Sequence, residues 1–163
     1  MDSVRIIEGD GRAAGHRFAL IVATYHDFVT DRLQAGALAA LAAAGATPDR
    51  IVVVRVPGAW EIPLAAQHVA ESGSCDAVVC LGCLIRGETP HARYIASAVA
   101  DSLAVTAGAT GIPITFGILT TNSVEEALAR AGDGPSNKGH EAAVAAIQMA
   151  SVVAQLNRPP AAS

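Results

Sequence analysis

The stretch that decides the fold runs from Leu81 to Tyr94 and reads LGCLIRGETPHARY. It begins with apolar residues, as a buried β-strand does, and then becomes a polar loop around Gly87. A further run begins at His91 and predicts a helix with a histidine in its first turn. A strand, a glycine loop and a helix in this order point backbone N–H groups into one crevice, which suits an anion such as phosphate. A histidine at its rim could transfer a proton near neutral pH.

The same alternation of strand and helix extends along the chain in both directions. The apolar runs predict strands at Phe18–Ala23, Ile51–Val56, Ala77–Ile85 and Ile112–Leu119. Helical spacing and end signals predict helices at Phe28–Ala44, Pro63–Ser72, His91–Ala107, Ser123–Arg130 and Lys138–Asn157. Because such alternation requires right-handed crossovers, we expect an α/β protein with three layers, α/β/α, around a four-stranded parallel sheet.

The polar residues concentrate in the loops that follow the four strands. These loops are Thr24–Asp27, Pro57–Pro63, Arg86–Pro90 and Thr120–Asn122. Parallel α/β sheets bind ligands beyond the carboxyl ends of their strands. The sequence therefore predicts one ligand site at this edge of the sheet.

Composition narrows the function classes. The chain has 163 residues, enough for one domain with a full core, and we expect residues 1–163 to form a single domain. Hydrophobic residues make up 52% but aromatic ones only 4%, so the helices are rich in small apolar residues that other subunits could bury. The net charge of −4 and the absence of a basic stripe argue against nucleic acid. No apolar run approaches the ~20 residues of a membrane span, no signal peptide is evident, and we expect a cytoplasmic protein.

The three cysteines, Cys75, Cys80 and Cys83, lie within nine residues. Cys80 and Cys83 have C-x-x-C spacing, which raises metal or redox chemistry as an alternative. In a strand, however, positions three apart face opposite sides, and no second pair completes a zinc site. We interpret them as buried core thiols and predict no metal.

Both ends of the chain extend beyond the predicted domain core. Residues Met1–His16 form an arm in which Val4–Ile7 could be an edge strand paired with a neighbouring subunit, or a frayed terminus. At the other end, Arg158–Ser163 is expected to be a disordered tail.

Four segments resemble the lumazine synthase family when they are taken in order. They are VPGAWEIPLAA from Val56, LGCLIRGETPHARYIA from Leu81, FGILTTNSVEEALARAG from Phe116 and NKGHEAAVAAIQMA from Asn137. The resemblance extends from about Phe18 to Leu156. It implies a flavodoxin-like strand order, with the arm adding a strand to a neighbouring subunit.

The resemblance implies a transferase of riboflavin biosynthesis. Members of the family condense 5-amino-6-(D-ribitylamino)uracil with 3,4-dihydroxy-2-butanone 4-phosphate and release phosphate and water. The product is 6,7-dimethyl-8-ribityllumazine, and the reaction uses no cofactor. His91 could carry out the proton transfers of this reaction, and the glycine loop could bind the leaving anion. The alternative is a non-catalytic relative that binds flavin or lumazine or only forms a shell.

The resemblance also implies roles for individual residues. His91 would be the general acid and base. The phosphate would be held by Gly87, Glu88 and Thr89, with Arg130 from the adjacent subunit. The ribitylaminouracil would meet Tyr25, Ala59, Trp60, Glu61, Cys83, Leu84, Ile85, Phe116 and Lys138. Tyr25-His26 departs from the Phe-Asn or Trp-Asn that the family usually carries, and the role of His26 stays open.

Structural interpretations stand beside these roles. On sequence alone, His91 could be a cap at the start of a helix, and Arg130 a cation that complements the end of a helix dipole. Trp60 could belong to the core, and Glu61 and Lys138 could be solvated first-turn residues. The family resemblance favours the functional interpretation in each case.

The resemblance further implies a homopentamer, because each active site would need two adjacent chains. Some members of the family stack twelve pentamers into an icosahedral shell, and others remain pentamers or decamers. The short loop Gly132–Ser136 is compatible with a 60-subunit shell. The assembled protein could also associate with riboflavin synthase. We expect no nucleic-acid or membrane partner.

Overall fold

The computed structural model describes residues 4–159, which form a parallel sheet between two layers of helices. The strands are β1 (Phe18–Ala23), β2 (Ile51–Val56), β3 (Ala77–Ile85) and β4 (Ile114–Thr121). The helices are α1 (Asp27–Ala43), α2 (Ile62–Glu71), α3 (His91–Thr110), α4 (Val124–Arg130) and α5 (Lys138–Leu156). Single turns of 3₁₀ helix precede β2 at Pro48–Arg50 and α2 at Ala59–Glu61.

The sheet has the strand order β2-β1-β3-β4, and each neighbouring pair is parallel. The predicted α/β sandwich and its flavodoxin-like order are therefore confirmed. The strand order reverses between β1 and β3, because the chain leaves β1 for one side of the sheet and later returns to the other. A crevice opens at such a reversal, beyond the carboxyl ends of the strands. The loops after β1 and β3 flank that crevice.

Two hydrophobic clusters hold the layers together, one on each face of the sheet. Leu20 of β1 packs in the cluster that α1, α4 and α5 share, whereas Ile21 packs in the cluster of α2 and α3. Successive side chains of a strand point to opposite faces, which explains the division. Cys83 lies in the first cluster and Cys80 in the second, so the prediction that they are core thiols on opposite faces of the sheet is confirmed.

The predicted bounds of β1, β2 and β3 are confirmed, but β4 begins two residues later than predicted. Proline cannot donate to a strand ladder. Pro113 contributes only its carbonyl, which accepts a hydrogen bond of 2.8 Å from the Val78 amide, and regular pairing starts at Ile114. At its other end β4 extends to Thr121, which pairs with Ile85.

The arm runs over α5 of its own chain. The side-chain amide of Gln155 donates to the Glu8 carbonyl over 2.6 Å, and the Asp10 amide donates to Ser151 Oγ over 3.3 Å. Gly9 passes so close that an added Cβ would lie 2.7 Å from the Gln148 backbone. Residues 4–7 lie before this anchor, are not in a strand within the chain, and expose the side chains of Val4 and Ile6. The arm strand therefore stays a prediction.

The predicted tail falls mostly on residues 160–163, which lie outside the described residues, as do Met1–Ser3. Within the described range, the helices are all too short or too polar to cross a membrane.

Candidate active site

A cavity of about 470 Å³ opens at the carboxyl ends of β1 and β3. We call it the loop cavity, because the loops after β1, β2 and β3 form its walls. Nine of the predicted site residues line it: Tyr25, Ala59, Trp60, Cys83, Leu84, Ile85, Gly87, Thr89 and His91. The structure thus brings together residues that are up to 66 positions apart in the chain.

Backbone hydrogen bonds fix two of the walls to each other. The amides of Thr24 and Tyr25 donate to the carbonyls of Val56 and Pro57 over 2.8 and 2.9 Å. The loops after β1 and β2 therefore continue the strand pairing beyond the sheet. This arrangement leaves the aromatic rings of Tyr25 and Trp60 at the mouth, with 68% and 61% of their surface exposed. Two aromatic faces are thus available to a flat ligand ring.

His26 has a left-handed backbone, with φ of 59°. The conformation lets its carbonyl accept from the amides of Val29 and Thr30, which starts α1. Its ring packs between Tyr25 and Phe28, with centroids 4.4 and 5.7 Å away. Burial lowers the pKa of the imidazole. Asn adopts this backbone more readily than most residues, so the position would suit Asn as well as His.

His91 is the first residue of α3, and Pro90 occupies the N-cap position without a side-chain hydrogen bond to the helix. His91 therefore does not cap α3, and its exposed side chain lines the loop cavity. The loop before it is tied to the end of β4, because the Arg86 amide donates to the Thr121 carbonyl over 2.8 Å. Glu88 faces a neighbouring groove of about 700 Å³, and Gly87 and Thr89 line both spaces.

A second recess of about 400 Å³ lies along β4, α4 and α5. We call it the helix recess. It contains three of the predicted site residues, Phe116, Arg130 and Lys138, and none of these lines the loop cavity. The structure therefore separates the predicted residues into two sets on one chain.

Hydrogen bonds hold the two cations of the helix recess. Arg130 Nη1 donates to the Glu126 carbonyl over 3.3 Å, and Lys138 Nζ pairs with Glu141 Oε2 over 2.8 Å. Sequence reasoning missed Glu141 as a residue of this recess. The signal was present, since Lys138 and Glu141 are three positions apart and therefore neighbours on a helix.

Helix α4, which carries Arg130 at its last position, has the predicted capping residues. Ser123 Oγ accepts from the Glu126 amide over 3.1 Å. The Glu126 carboxylate accepts from Asn122 rather than from Ser123, over 2.9 Å. A capping box thus forms one residue wider than its usual pattern.

Glu61 lines neither space. It ends the 3₁₀ turn, and its carboxylate bends back toward Gly58, where an added Cβ would lie 3.2 Å from Oε2. Gly58 lines the loop cavity, so Glu61 stands beside the cavity rather than in it.

The cysteines are free and buried. Burial raises the pKa of Cys83, which lines the loop cavity, to about 11. The thiol is therefore protonated at neutral pH and unsuited to nucleophilic attack. Among residues 4–159, no three His, Cys, Asp or Glu side chains are arranged to hold a metal ion.

The fold and the site define an α/β protein with a ligand cavity at the switch point of a parallel sheet. Residues 15–154 match the sequence profile of a family described as 6,7-dimethyl-8-ribityllumazine synthase. The chain is 50% identical over 150 residues to a protein of that name from Salinibacter ruber, covering 92% of this chain and 96% of the relative. A relative of the same name from Desulfatibacillum aliphaticivorans is 48% identical over 151 residues, covering 93% and 97%. The chain belongs to the 6,7-dimethyl-8-ribityllumazine synthase family.

Proposed function

We propose that the protein condenses 5-amino-6-(D-ribitylamino)uracil with 3,4-dihydroxy-2-butanone 4-phosphate to 6,7-dimethyl-8-ribityllumazine, the penultimate step of riboflavin biosynthesis. Phosphate and water leave in the reaction. The observation that carries the proposal is the division of the site residues into a loop cavity, which suits a flat ring, and a helix recess, which carries two cations. The two substrates have these two characters, one a pyrimidine and the other a phosphate ester.

The loop cavity is the proposed place of the ribitylaminouracil. Its ring would stack on the exposed faces of Tyr25 and Trp60. Backbone groups of Cys83–Ile85 would meet its polar edge, because β3 continues past its last pairing with β1 at Leu81 and is paired there only on the β4 side. Ala59 would contact the ribityl chain, and Glu61, which stands beside the cavity, would reach it by turning away from Gly58.

His91 is the proposed general acid and base. The reaction begins when the amine attacks the ketone, and it needs proton transfers as water and phosphate leave. An exposed imidazole at the cavity wall can make those transfers near neutral pH, a contribution of roughly 10²–10⁴-fold. The rest of the rate would come from holding two substrates together. The proposed mechanism draws on no metal and no cofactor.

The phosphate would lie at the Gly87–Thr89 loop, at the start of α3, where backbone N–H groups and the helix dipole favour an anion. Arg130 would supply a guanidinium to the same phosphate. Lys138 and Phe116 would approach the reacting groups from the same side as Arg130. Within one chain these three residues line a separate recess, so the proposal requires them from an adjacent copy.

A closed ring of copies, each giving its helix recess to its neighbour's loop cavity, satisfies this requirement. We propose a homopentamer on the resemblance to the family. Residues Val4–Ile7 would add a strand to a neighbour's sheet, since Val4 and Ile6 expose their apolar side chains and residues 4–7 are in no strand of their own chain. We also propose, on the same resemblance, that pentamers could assemble into a 60-subunit shell and that the protein could associate with riboflavin synthase. We further propose that residues 1–163 form one domain, with residues 1–16 as its arm.

We also place the protein in the cytoplasm. Its three cysteines are free and buried, which suits a compartment that keeps thiols reduced. Sedimentation of the purified protein would give the assembly: a pentamer, a decamer and a 60-subunit shell differ several-fold in mass.

The reaction is tested by mixing the two substrates with purified protein and following the fluorescent lumazine and the released phosphate. We expect product well above the uncatalysed rate, with one phosphate per lumazine. A rate no higher than background, together with tight binding of riboflavin or lumazine, would contradict the proposal and indicate a binding protein.

The shared site is tested by complementation between two variants. His91→Ala chains retain the helix recess, and Arg130→Ala chains retain the loop cavity. Mixed rings formed by co-expression would contain intact sites at about one quarter of positions by random assembly. We expect that fraction of wild-type activity at low butanone phosphate, against far less in either variant alone. Activity equal to the mean of the two variants would show that each site lies within one chain.

A further inference from the structure

The side chain of Asn137 makes more hydrogen bonds than a helix cap needs. Its Oδ1 accepts from the amides of Gly139 and His140 over 2.8 and 3.1 Å, which caps the start of α5. Its Nδ2 donates to the carbonyls of Arg32 and Gly132 over 3.1 and 2.8 Å. The residue is only 3% exposed, and all four bonds join it to backbone.

The two halves of this amide serve different parts of the molecule. Capping requires only an acceptor, and Ser, Thr or Asp would serve as well. The donor half instead reaches across to α1 at Arg32 and back to Gly132, the second residue after Arg130. Asn137 thus connects α1, the start of α5 and the segment that follows α4.

The surrounding backbone leaves no room for this connection to shift. An added Cβ at Gly139 would collide with the Leu33 carbonyl, and one at Gly36 would collide with the Asn137 amide itself. Helices α1 and α5 therefore cross at a close contact between glycine positions, with the amide of Asn137 beside it. A side chain enclosed in this way has one available orientation.

The segment that Asn137 holds joins the two cations of the helix recess. Arg130 precedes residues 131–136 and Lys138 follows Asn137 directly. The Asn137 amide N–H also donates to the Gly134 carbonyl over 3.1 Å, so backbone and side chain both close the segment. We propose that Asn137 is a positioning residue, which fixes the spacing of Arg130 and Lys138 so that the guanidinium reaches the phosphate while the ammonium lies close to the reacting groups. The inference rests on the proposed function of the helix recess.

Two substitutions separate capping from positioning. Asn137→Asp and Asn137→Ser keep an acceptor for Gly139 and His140, but neither donates as the amide does to Arg32 and Gly132. In Asn137→Asp, a carboxylate oxygen would also face those two carbonyls. Ile147→Val is the matched control, because it trims a buried side chain of α5 and leaves all four hydrogen bonds intact.

The probe is inorganic phosphate, whose dissociation constant is measured by calorimetry on each assembled protein. We expect the constant to rise roughly fivefold or more in both Asn137 variants. This is the factor expected if the phosphate loses about one hydrogen bond because a cation is displaced. Ile147→Val should leave it unchanged although it also lowers the melting temperature. An unchanged constant in the Asn137 variants, with a lowered melting temperature, would reduce Asn137 to a helix cap and overturn the inference.

Steady-state kinetics give a second readout. The KM for the butanone phosphate should rise by the same factor in both variants, and the KM for the ribitylaminouracil should stay within about twofold. Equal increases for both substrates would contradict a role confined to the helix recess. If the wild-type protein forms no lumazine, the proposed reaction fails, but the phosphate measurement still decides the role of Asn137.

Hydrogen exchange on the wild-type protein gives a third test, which does not depend on whether a variant folds. If Asn137 fixes the segment in advance, the hydrogen-bonded amides of Ala131, Asn137, Gly139 and His140 should resist hydrogen exchange without phosphate. Exchange as fast as in an open loop, slowed only when phosphate is added, would show that the ligand orders the segment and would overturn the inference.

Discussion

The loop cavity and the helix recess are built in different ways. The loop cavity is bounded by loops at strand ends, held by backbone bonds such as that from Tyr25 to Pro57. The helix recess carries charged groups on helices, held by side-chain bonds such as that from Lys138 to Glu141. On the proposed function, the difference follows from what each region would recognise. A flat ring needs a shape, which a backbone can supply, whereas an anion needs cations at a fixed spacing, which helices provide.

The two regions have one property in common, which is that each leaves an aromatic ring uncovered. Trp60 of the loop cavity is 61% exposed, and Phe116 of the helix recess is 46% exposed. Exposed rings of this size beside a polar site are typical of surfaces that another molecule covers. The comparison therefore predicts that each region covers the other in an adjacent copy, and the following changes test it from the largest effect to the smallest.

His91→Ala removes the proposed acid and base from the loop cavity. We expect turnover to fall by about 10²-fold or more, because general acid–base catalysis contributes on that scale. The KM for the butanone phosphate should change little, since the helix recess is untouched. Single-turnover kinetics and sedimentation check the rate and the assembly. His68→Ala, an exposed histidine on α2, is the control. Unchanged turnover in His91→Ala would remove the chemistry from the loop cavity.

Arg130→Ala removes a cation from the helix recess and should produce the opposite pattern. We expect the KM for the butanone phosphate to rise about tenfold, since a charged hydrogen bond contributes about 1.5–3 kcal/mol, with a smaller change in turnover. Steady-state kinetics with each substrate varied in turn measure this. Arg50→Ala, in the 3₁₀ turn before β2, is the control for a lost positive charge. A defect confined to the uracil substrate would reverse the assignment of the two regions.

Ser123→Ala tests whether the helix recess depends on its caps. The change removes the hydrogen bond from the Glu126 amide and should lower the free energy of unfolding by about 1 kcal/mol. Denaturant titration at a fixed protein concentration measures the loss. Ser102→Ala, at an exposed position of α3, should lack this effect. Equal stability in the two variants would mean that α4 is held by its packing rather than by its cap.

His26→Asn tests the loop cavity through pH. Burial lowers the pKa of His26 in the folded chain, so the unfolded chain binds the proton first as the pH falls. This proton binding lowers the free energy of unfolding. The loss is absent well above pH ~6.5, where His26 is neutral in both states, and it grows as the pH falls through that value. We expect His26→Asn, which suits the left-handed backbone, to remove this loss. Unfolding curves between about pH 7 and pH 5 measure it, and a constant stability difference would contradict it.

Much of the site follows directly from sequence patterns. The loop between Ile85 and His91 was predicted from its glycine and from the apolar run before it, and the structure places Gly87, Thr89 and His91 in one cavity. Glu141 was missed although its spacing to Lys138 was visible, because a pair of opposite charges on a helix is common without function. The position of Glu61 beside the cavity depends on the 3₁₀ turn at Ala59–Glu61, which gave no periodic signal.

The sequence by itself determined the order of strands and helices, the loops that carry polar residues and the kinship to a family. These are local properties, because periodicity, caps and turns act over a few residues. Only the tertiary structure decided that Phe116, Arg130 and Lys138 lie apart from His91, and that Asn137 joins α1 to the segment between two cations. Such relations arise from packing between residues distant in the chain. No local pattern encodes them, because the energy of a close helix crossing or a buried amide depends on every neighbour at once.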